Sequence, residues 1–129
     1  MTSAPAPSVT PPVATASAAA APEQIVCQHV LVGYKGAVKA KRGLVRTKEE
    51  AKARAGVVAG LAHDDPDGFD ELVKKFSDDP SAERLGTTGL VRRADLVKPF
   101  ADAAFALEIG QVTGAVETPF GFHVIKRTQ

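Results

Sequence analysis

Two histidines hold the most telling chemistry in this chain of 129 residues. His29 lies in Ile25-Val26-Cys27-Gln28-His29-Val30-Leu31-Val32, and His123 in Gly121-Phe122-His123-Val124-Ile125. Both imidazoles sit among apolar, mostly β-branched neighbours. A ring buried there costs free energy unless its nitrogens find hydrogen-bond partners. If the strands that carry them pair, the two rings meet at the centre of a sheet. The alternative is two separate, satisfied core histidines, which periodicity alone favours. A metal centre fits poorly. Cys27 and His29 share a strand face, but no CxxC, HxxxH or clustered carboxylates accompany them, so no metal is expected. Cys27 reads as a small buried hydrophobe.

A second cluster is basic. Residues 33–48 hold Lys35, Lys39, Lys41, Arg42, Arg46 and Lys48, with no acid and with glycines at 33, 36 and 43. Either this is a solvated loop, or Lys39, Lys41 and Arg42 form an anion cradle beside permissive glycines. Arg46 and Lys48 border a helix cap and are weaker members. The glycine spacing matches neither a Walker loop nor a dinucleotide fingerprint, and no Gly-x-Ser-x-Gly elbow is present. No cofactor is expected.

The elements that position these residues can be read in order. Residues 25–32 are apolar on both alternating faces, which predicts a central strand covered on each side. Thr47-Lys48-Glu49-Glu50 has capping-box spacing and opens a helix over about 48–62, with Ala51, Ala55, Val58 and Ala62 on one stripe. Asp67 is placed to cap the next helix, whose apolar face is Phe69, Leu72, Val73 and Phe76. Asp79-Pro80 reads as an N-cap and first helical residue of a short turn ending near Arg84. A short strand over 86–91 follows. A helix from Pro99 to about Gly110 comes next, with Phe100, Ala103, Ala104 and Leu107 on one face. Strands over 112–118 and 121–127 flank a Pro119-Phe120-Gly121 turn. The order β-α-α-α-β-α-β-β predicts an α/β fold, a four-stranded mixed sheet flanked by helices.

Length and composition bound the rest. The chain suits one domain, and its 16 Lys+Arg against 15 Asp+Glu give a net charge of +1. That balance argues against a nucleic-acid binder driven by bulk charge. One Cys excludes a disulfide scaffold, and no apolar run is long enough to span a bilayer. Residues 1–22 carry no charged side chain, eight Ala and five of the nine Pro. They read as a disordered tail or linker, leaving 23–129 as the folded domain. The tail lacks the basic start and the Leu/Val/Ile block of a secretory signal, so the cytoplasm is the expected compartment and a monomer the expected state.

Six blocks in order resemble one family: His29-Val30-Leu31-Val32; Arg46-Thr47-Lys48-Glu49-Glu50-Ala51; Phe76-Ser77-Asp78-Asp79 with Ser81-Ala82; Gly86-x-x-Gly89; Lys98-Pro99-Phe100-x-Asp102-Ala103-x-Phe105-Ala106-Leu107; and Gly121 through Arg127. With these, residues 26–128 resemble the parvulin-type peptidyl-prolyl cis/trans isomerases. The resemblance implies adjacent first and last strands and a catalytic group of His29, Asp79, Thr118 and His123. It implies a substrate-proline pocket at Leu96 and Phe100 with Thr88 and Phe120 at its rim. Several members have Leu where this chain has Thr88, and phosphate-reading members have a basic residue where it has Gly33. Lys39, Lys41 and Arg42 stand further along the loop as substitutes. The implied substrates are proline-containing peptides or unfolded protein segments, with acidic or phosphorylated residues before Pro favoured if the loop binds anions. Thr88 leaves one alternative, a chaperone-like Pro-peptide binding module with little turnover.

Overall fold

The computed structural model describes residues 23–129; the uncharged segment 1–22 lies outside the described residues. The chain forms β1 (Gln24–Val32), α1 (Lys48–Asp64), α2 (Phe69–Phe76), β2 (Thr87–Arg92), α3 (Lys98–Phe105), β3 (Val116–Thr118) and β4 (Gly121–Arg127). Three 3-10 turns, Pro66–Gly68, Pro80–Arg84 and Arg93–Asp95, link them. The sheet order is β2-β1-β4-β3, so the first and last strands are its two central members.

Every strand pair is antiparallel, where the sequence predicts a mixed sheet. The reason lies in the return path. The chain leaves β1 at its C-terminal end, runs through α1 and α2, and comes back to the same end. There the Asp78 amide donates to the Leu31 carbonyl at 2.7 Å. A chain that re-enters a sheet from the end it left must run antiparallel.

Both faces of β1 are covered, as its double apolar pattern requires. Val30 and Val32, with Phe122 and Val124 of β4, pack against Ala51, Ala55, Val58 and Ala62 of α1 and Phe69 and Val73 of α2. The small alanines let α1 lie close to the sheet. On the other face Ile25, Cys27 and Ile125 pack against Phe100, Ala101, Ala104 and Phe105 of α3. Burial pushes the Cys27 thiol up to about 11, consistent with a structural side chain.

Local signals hold in some places and give way in others. The Thr47 capping box forms, with the Glu50 amide donating to Thr47 Oγ1 at 3.1 Å and the Thr47 amide to Glu50 Oε1 at 2.8 Å. Asp67 does not cap α2. Pro66 starts a 3-10 turn that absorbs Asp67, Gly68 becomes the N-cap residue, and no side chain caps the helix. The third predicted helix is the 3-10 turn Pro80–Arg84, capped by Asp79. The helix expected from Pro99 to about Gly110 starts at Lys98 and stops at Phe105. Of the strand expected over 112–118, only Val116–Thr118 joins the ladder, with an isolated bridge from Val112 to Lys126. Thr113 keeps the intervening segment on β4 by exchanging two bonds with the Ile125 backbone, at 2.8 and 3.0 Å.

Candidate active site

The register of β1 on β4 brings the histidines together. Leu31 stands opposite His123, and His29 opposite Ile125. The two imidazoles are therefore diagonal neighbours on one face of the sheet, within reach for side chains of this size. Their Nδ1 atoms are 3.2 Å apart and their ring centroids 5.3 Å, with the rings inclined by 26°. Phe100 from α3 makes an edge contact with each ring, centroid distances 5.4 Å to His29 and 5.1 Å to His123.

Polar groups finish the cluster at both ends. Thr118 Oγ1 lies 2.8 Å from His123 Nε2 and accepts the Phe120 amide at 3.2 Å. At the other end, His29 Nε2 faces Ser81 Oγ at 3.4 Å and Asp79 Oδ2 at 3.7 Å. The Ser81 amide donates to Asp79 Oδ2 at 2.9 Å. One donor order uses every nitrogen. Thr118 donates to His123 Nε2, His123 Nδ1–H donates to His29 Nδ1, and His29 Nε2–H points at Ser81 and the Asp79 carboxylate. A carboxylate cannot donate, so a ring N–H facing it is the favourable arrangement.

Burial sets the charges. It lowers the pKa of His29, and Asp79 offsets only part of this. It lowers His123 to about 3, with the neighbouring His29 adding to the effect. Both rings are neutral at pH 7. Burial works to raise Asp79, but the hydrogen bonds from Ser81, with smaller electrostatic help from the two rings, outweigh it and hold the carboxyl below its ordinary value. A stability prediction follows. Unfolded, each histidine takes a proton near pH 6.5; folded, each resists it. The unfolded state then binds more protons, so stability is full above about pH 6.5 and falls on acidification toward pH 3. The slope is about 1.4 kcal/mol per pH unit for each fully resistant ring. Protonation of Asp79 adds a further loss at the acid end. Urea unfolding midpoints between pH 7 and 4 check this, and a flat profile contradicts it.

Beside the imidazoles opens a cavity of about 460 Å³. Leu96, Phe100, Thr88 and Phe120, the four expected pocket residues, all line it, with His29, Asp79 and His123. Thr118 lies buried beneath the cavity and does not line it. The Thr88 hydroxyl is already engaged. It accepts the Cys27 amide at 3.2 Å, beside an irregularity in the β1–β2 register, and donates to the Gly89 carbonyl at 2.8 Å. Of the loop cations only Lys39 lines the cavity; Lys41 and Arg42 are exposed on the loop outside it. Arg46 is a structural tie, bonding Asp78 Oδ2 at 2.5 Å and the Gly33 carbonyl at 3.0 Å, and Lys48 pairs with Glu117 at 2.7 Å. Sequence reasoning did not single out Ser81, Leu31, Val38, Asp95 or Val97. Two hints pointed to Ser81: its place in a block that resembles the parvulins, and the Asp79-Pro80-Ser81 capping pattern, whose third residue faces back toward the cap.

Comparison with known proteins agrees with this geometry. Residues 29–129 match the rotamase family described as the PPIC-type PPIase domain. The chain is 32% identical over 119 residues to the peptidyl-prolyl cis-trans isomerase Pin1 of Arabidopsis thaliana, covering 82% of this chain and 96% of that protein. It is 37% identical over 108 residues to the peptidyl-prolyl cis-trans isomerase pin1 of Schizosaccharomyces pombe, covering 81% of this chain and 62% of the relative. The solved structure of the peptidyl-prolyl isomerase ESS1 from Candida albicans superimposes with a TM-score of 0.78 at 28% identity, covering 83% of this chain and 63% of that one. Paired imidazoles, an adjoining cavity and a family match that runs across both place this chain in the parvulin family of PPIC-type peptidyl-prolyl cis/trans isomerases.

Proposed function

We propose that the cavity beside His29 and His123 grips the pyrrolidine ring of an X-Pro segment while the preceding carbonyl turns, without covalent chemistry. The peptide bond resists rotation by about 18–20 kcal/mol because of amide resonance. The isomers of X-Pro differ by only about 0.5–1 kcal/mol, yet exchange takes tens of seconds or longer. A catalyst must hold the twisted amide better than either planar form, and each tenfold in rate needs about 1.4 kcal/mol. Leu96 and Phe100 supply an apolar wall for the ring. Closing water away from the rotating carbonyl disfavours the charge-separated planar form. His29, His123, Thr118 and Asp79 supply neutral imidazoles and fixed dipoles that need little reorganisation as the bond twists. The observation that carries the reading is an apolar-walled cavity directly against a neutral imidazole pair. Exchange spectroscopy on Ala-Pro and Glu-Pro peptides tests it; no acceleration over the spontaneous rate at micromolar protein overturns it. The alternative of a holding module with little turnover drew on a polar group in the pocket wall at Thr88. That hydroxyl is bonded to backbone on both sides, which favours the enzyme.

The proposal includes a preference for an acidic residue, phosphorylated residues among them, before the proline. Lys39 supports it. Its backbone is left-handed, φ 55°, uncommon for a side chain with a Cβ, and the amide of the preceding Val38 donates to the Pro119 carbonyl at 3.0 Å. The loop is thus tied to the β3–β4 turn with Lys39 at the cavity. Lys41 and Arg42 add charge at longer range. Lys39→Ala is expected to cut kcat/KM on Glu-Pro peptides about threefold relative to Ala-Pro, an effect that fades in salt. An equal loss on both peptides speaks against the role.

A monomer in the cytoplasm completes the proposal. The site is assembled within one chain. Among the described residues no helix is long and apolar enough to cross a membrane. Size-exclusion chromatography and cell fractionation check these two points.

A further inference from the structure

β2 is an outer strand of the sheet, and its free side is open at one residue. Val26 shows which. Its amide donates to the Gln129 carbonyl at 3.2 Å, and its carbonyl accepts the Thr128 and Gln129 amides at 2.8 and 3.1 Å, so both groups turn toward the residues that continue β4. Leu90 stands opposite Val26 in the β1–β2 register. In an antiparallel ladder, a residue opposite one whose N–H and C=O turn away turns its own the other way. Both backbone groups of Leu90 therefore face the outer edge. The neighbouring groups are served by side chains. The Gly89 amide donates to Thr87 Oγ1 at 3.1 Å, the Gly89 carbonyl accepts Thr88 Oγ1 at 2.8 Å, and the Arg92 amide donates to Asp95 Oδ2 at 2.9 Å. Among the described residues no side chain does the same for Leu90. Its own side chain is 63% exposed, the open end of the face it shares with Val26.

We propose that the substrate polypeptide, extended beyond the proline held in the cavity, adds to the outer edge of β2, one of its residues exchanging two backbone hydrogen bonds with Leu90. This rests on the reading in which the cavity holds the proline. An open donor and acceptor on one edge residue are half of an antiparallel pair, and an extended peptide completes it. The edge is continuous with the cavity. Thr88, two residues before Leu90, lines the cavity, and so do Asp95 and Leu96 beyond the other end of the strand. At about 3.3 Å per residue, Leu90 is roughly 7 Å along β2 from Thr88, within about four residues of the bound proline. A second copy of this chain fits less well. The window is one residue long, far short of the roughly 800 Å² per partner of a stable interface. A peptide already anchored by its proline needs no more than that one pair. The side chain of the paired residue stands beside Leu90 and Val26, so an apolar residue is favoured there. The substrate class is then a long unfolded segment, apolar at one position near the proline, in preference to a short peptide or a proline in a tight turn.

The test compares Ala-Ala-Pro-Ala with peptides lengthened on either side of it by about four residues, Leu among them. Lengthening on one side is expected to raise kcat/KM in exchange spectroscopy about tenfold, as for two backbone hydrogen bonds and an apolar contact. N-methylation at one residue of that extension should abolish the gain, and at the next residue leave it, because successive amides of a strand point to opposite sides. Leu90→Pro removes the outward donor at an edge position where proline is tolerated, and should bring the long-to-short ratio close to one. Amide hydrogen exchange gives a readout on the unmodified chain. The Leu90 amide should exchange fast without peptide and be slowed at least about tenfold by the long peptide but not the short one. Equal kcat/KM at both lengths, a gain that survives N-methylation at every position, or a ratio unaltered by Leu90→Pro overturns the proposal. So does a Leu90 amide protected without peptide: protection that grows with protein concentration assigns the edge to a second copy, and protection independent of it to residues 1–22 of the same chain. Should no peptide be turned over, the isomerase reading fails by itself, and protection of Leu90 by the long peptide decides the role of the edge separately.

Discussion

Replacing Phe100 by alanine is expected to lower kcat/KM on every Pro peptide, acidic or neutral, by between about tenfold and a hundredfold. Losing the wall against the pyrrolidine ring removes an apolar contact worth about 1.5–3 kcal/mol, and each 1.4 kcal/mol is a factor of ten. The same ring is 4% exposed, packs with Ile25 and Ile125, and edges both imidazoles. Its removal leaves a cavity in the core as well, at a cost of about 3–5 kcal/mol in stability. The two effects separate in Phe100→Leu. That variant restores most of the volume, so stability should recover to a large extent while the flat aromatic wall stays absent and turnover stays low. Exchange spectroscopy reads the activity and urea unfolding the stability. A folded alanine variant with undiminished kcat/KM removes Phe100 from the pocket.

Gly121→Ala is expected to destabilise the chain by about 3 kcal/mol or more. Gly121 has φ +138°, where side chains with a Cβ are rare. A Cβ there would stand 2.4 Å from the Val32 carbonyl oxygen and 2.9 Å from the Gly33 Cα. Both obstacles are backbone, so the β3–β4 turn must lift off the end of β1. Thr118 ends β3 beside that turn and Phe120 lies in it, so residual activity should fall with stability. Gly114→Ala is the control. Nothing lies within 4 Å of its Cβ position, and a change within about 0.5 kcal/mol is expected. Thermal and urea midpoints check the pair, and an unaltered midpoint in Gly121→Ala contradicts the steric account.

What could be read from the residues depended on whether the cause was local or lay across the fold. The double apolar face of β1 announced a central strand, and the Thr47–Glu50 box announced the start of α1, because each rests on neighbours in sequence. The histidine pair was legible one step further out. Two apolar runs at opposite ends of the domain were natural partners, and the resemblance to parvulins made them adjacent. Strand direction was not legible, since it depends on where α2 delivers the chain, at the Leu31 end of β1. Nor was the task of Thr88: its hydroxyl serves a Cys27 amide at a register irregularity that no local pattern reveals. Asp67 failed as a cap because Pro66 opens a turn one step earlier. The loop was plainly basic, yet only the positive φ of Lys39 and the bond from Val38 to Pro119 show which of its cations reaches the cavity.

The adjacency of β1 and β4 also governs when the catalyst comes into being. His29 and His123 are 94 residues apart in sequence, and closing a loop of that length costs on the order of 4 kcal/mol in chain entropy. During synthesis β1 emerges early and waits with one central edge unpaired until the final strand has left the ribosome. A nascent chain lacking β4 has one of the two site imidazoles, no partner for it and no turn to close the cavity. The site therefore cannot act on the prolines of its own fold, Pro66, Pro80, Pro99 and Pro119, while that fold is still forming.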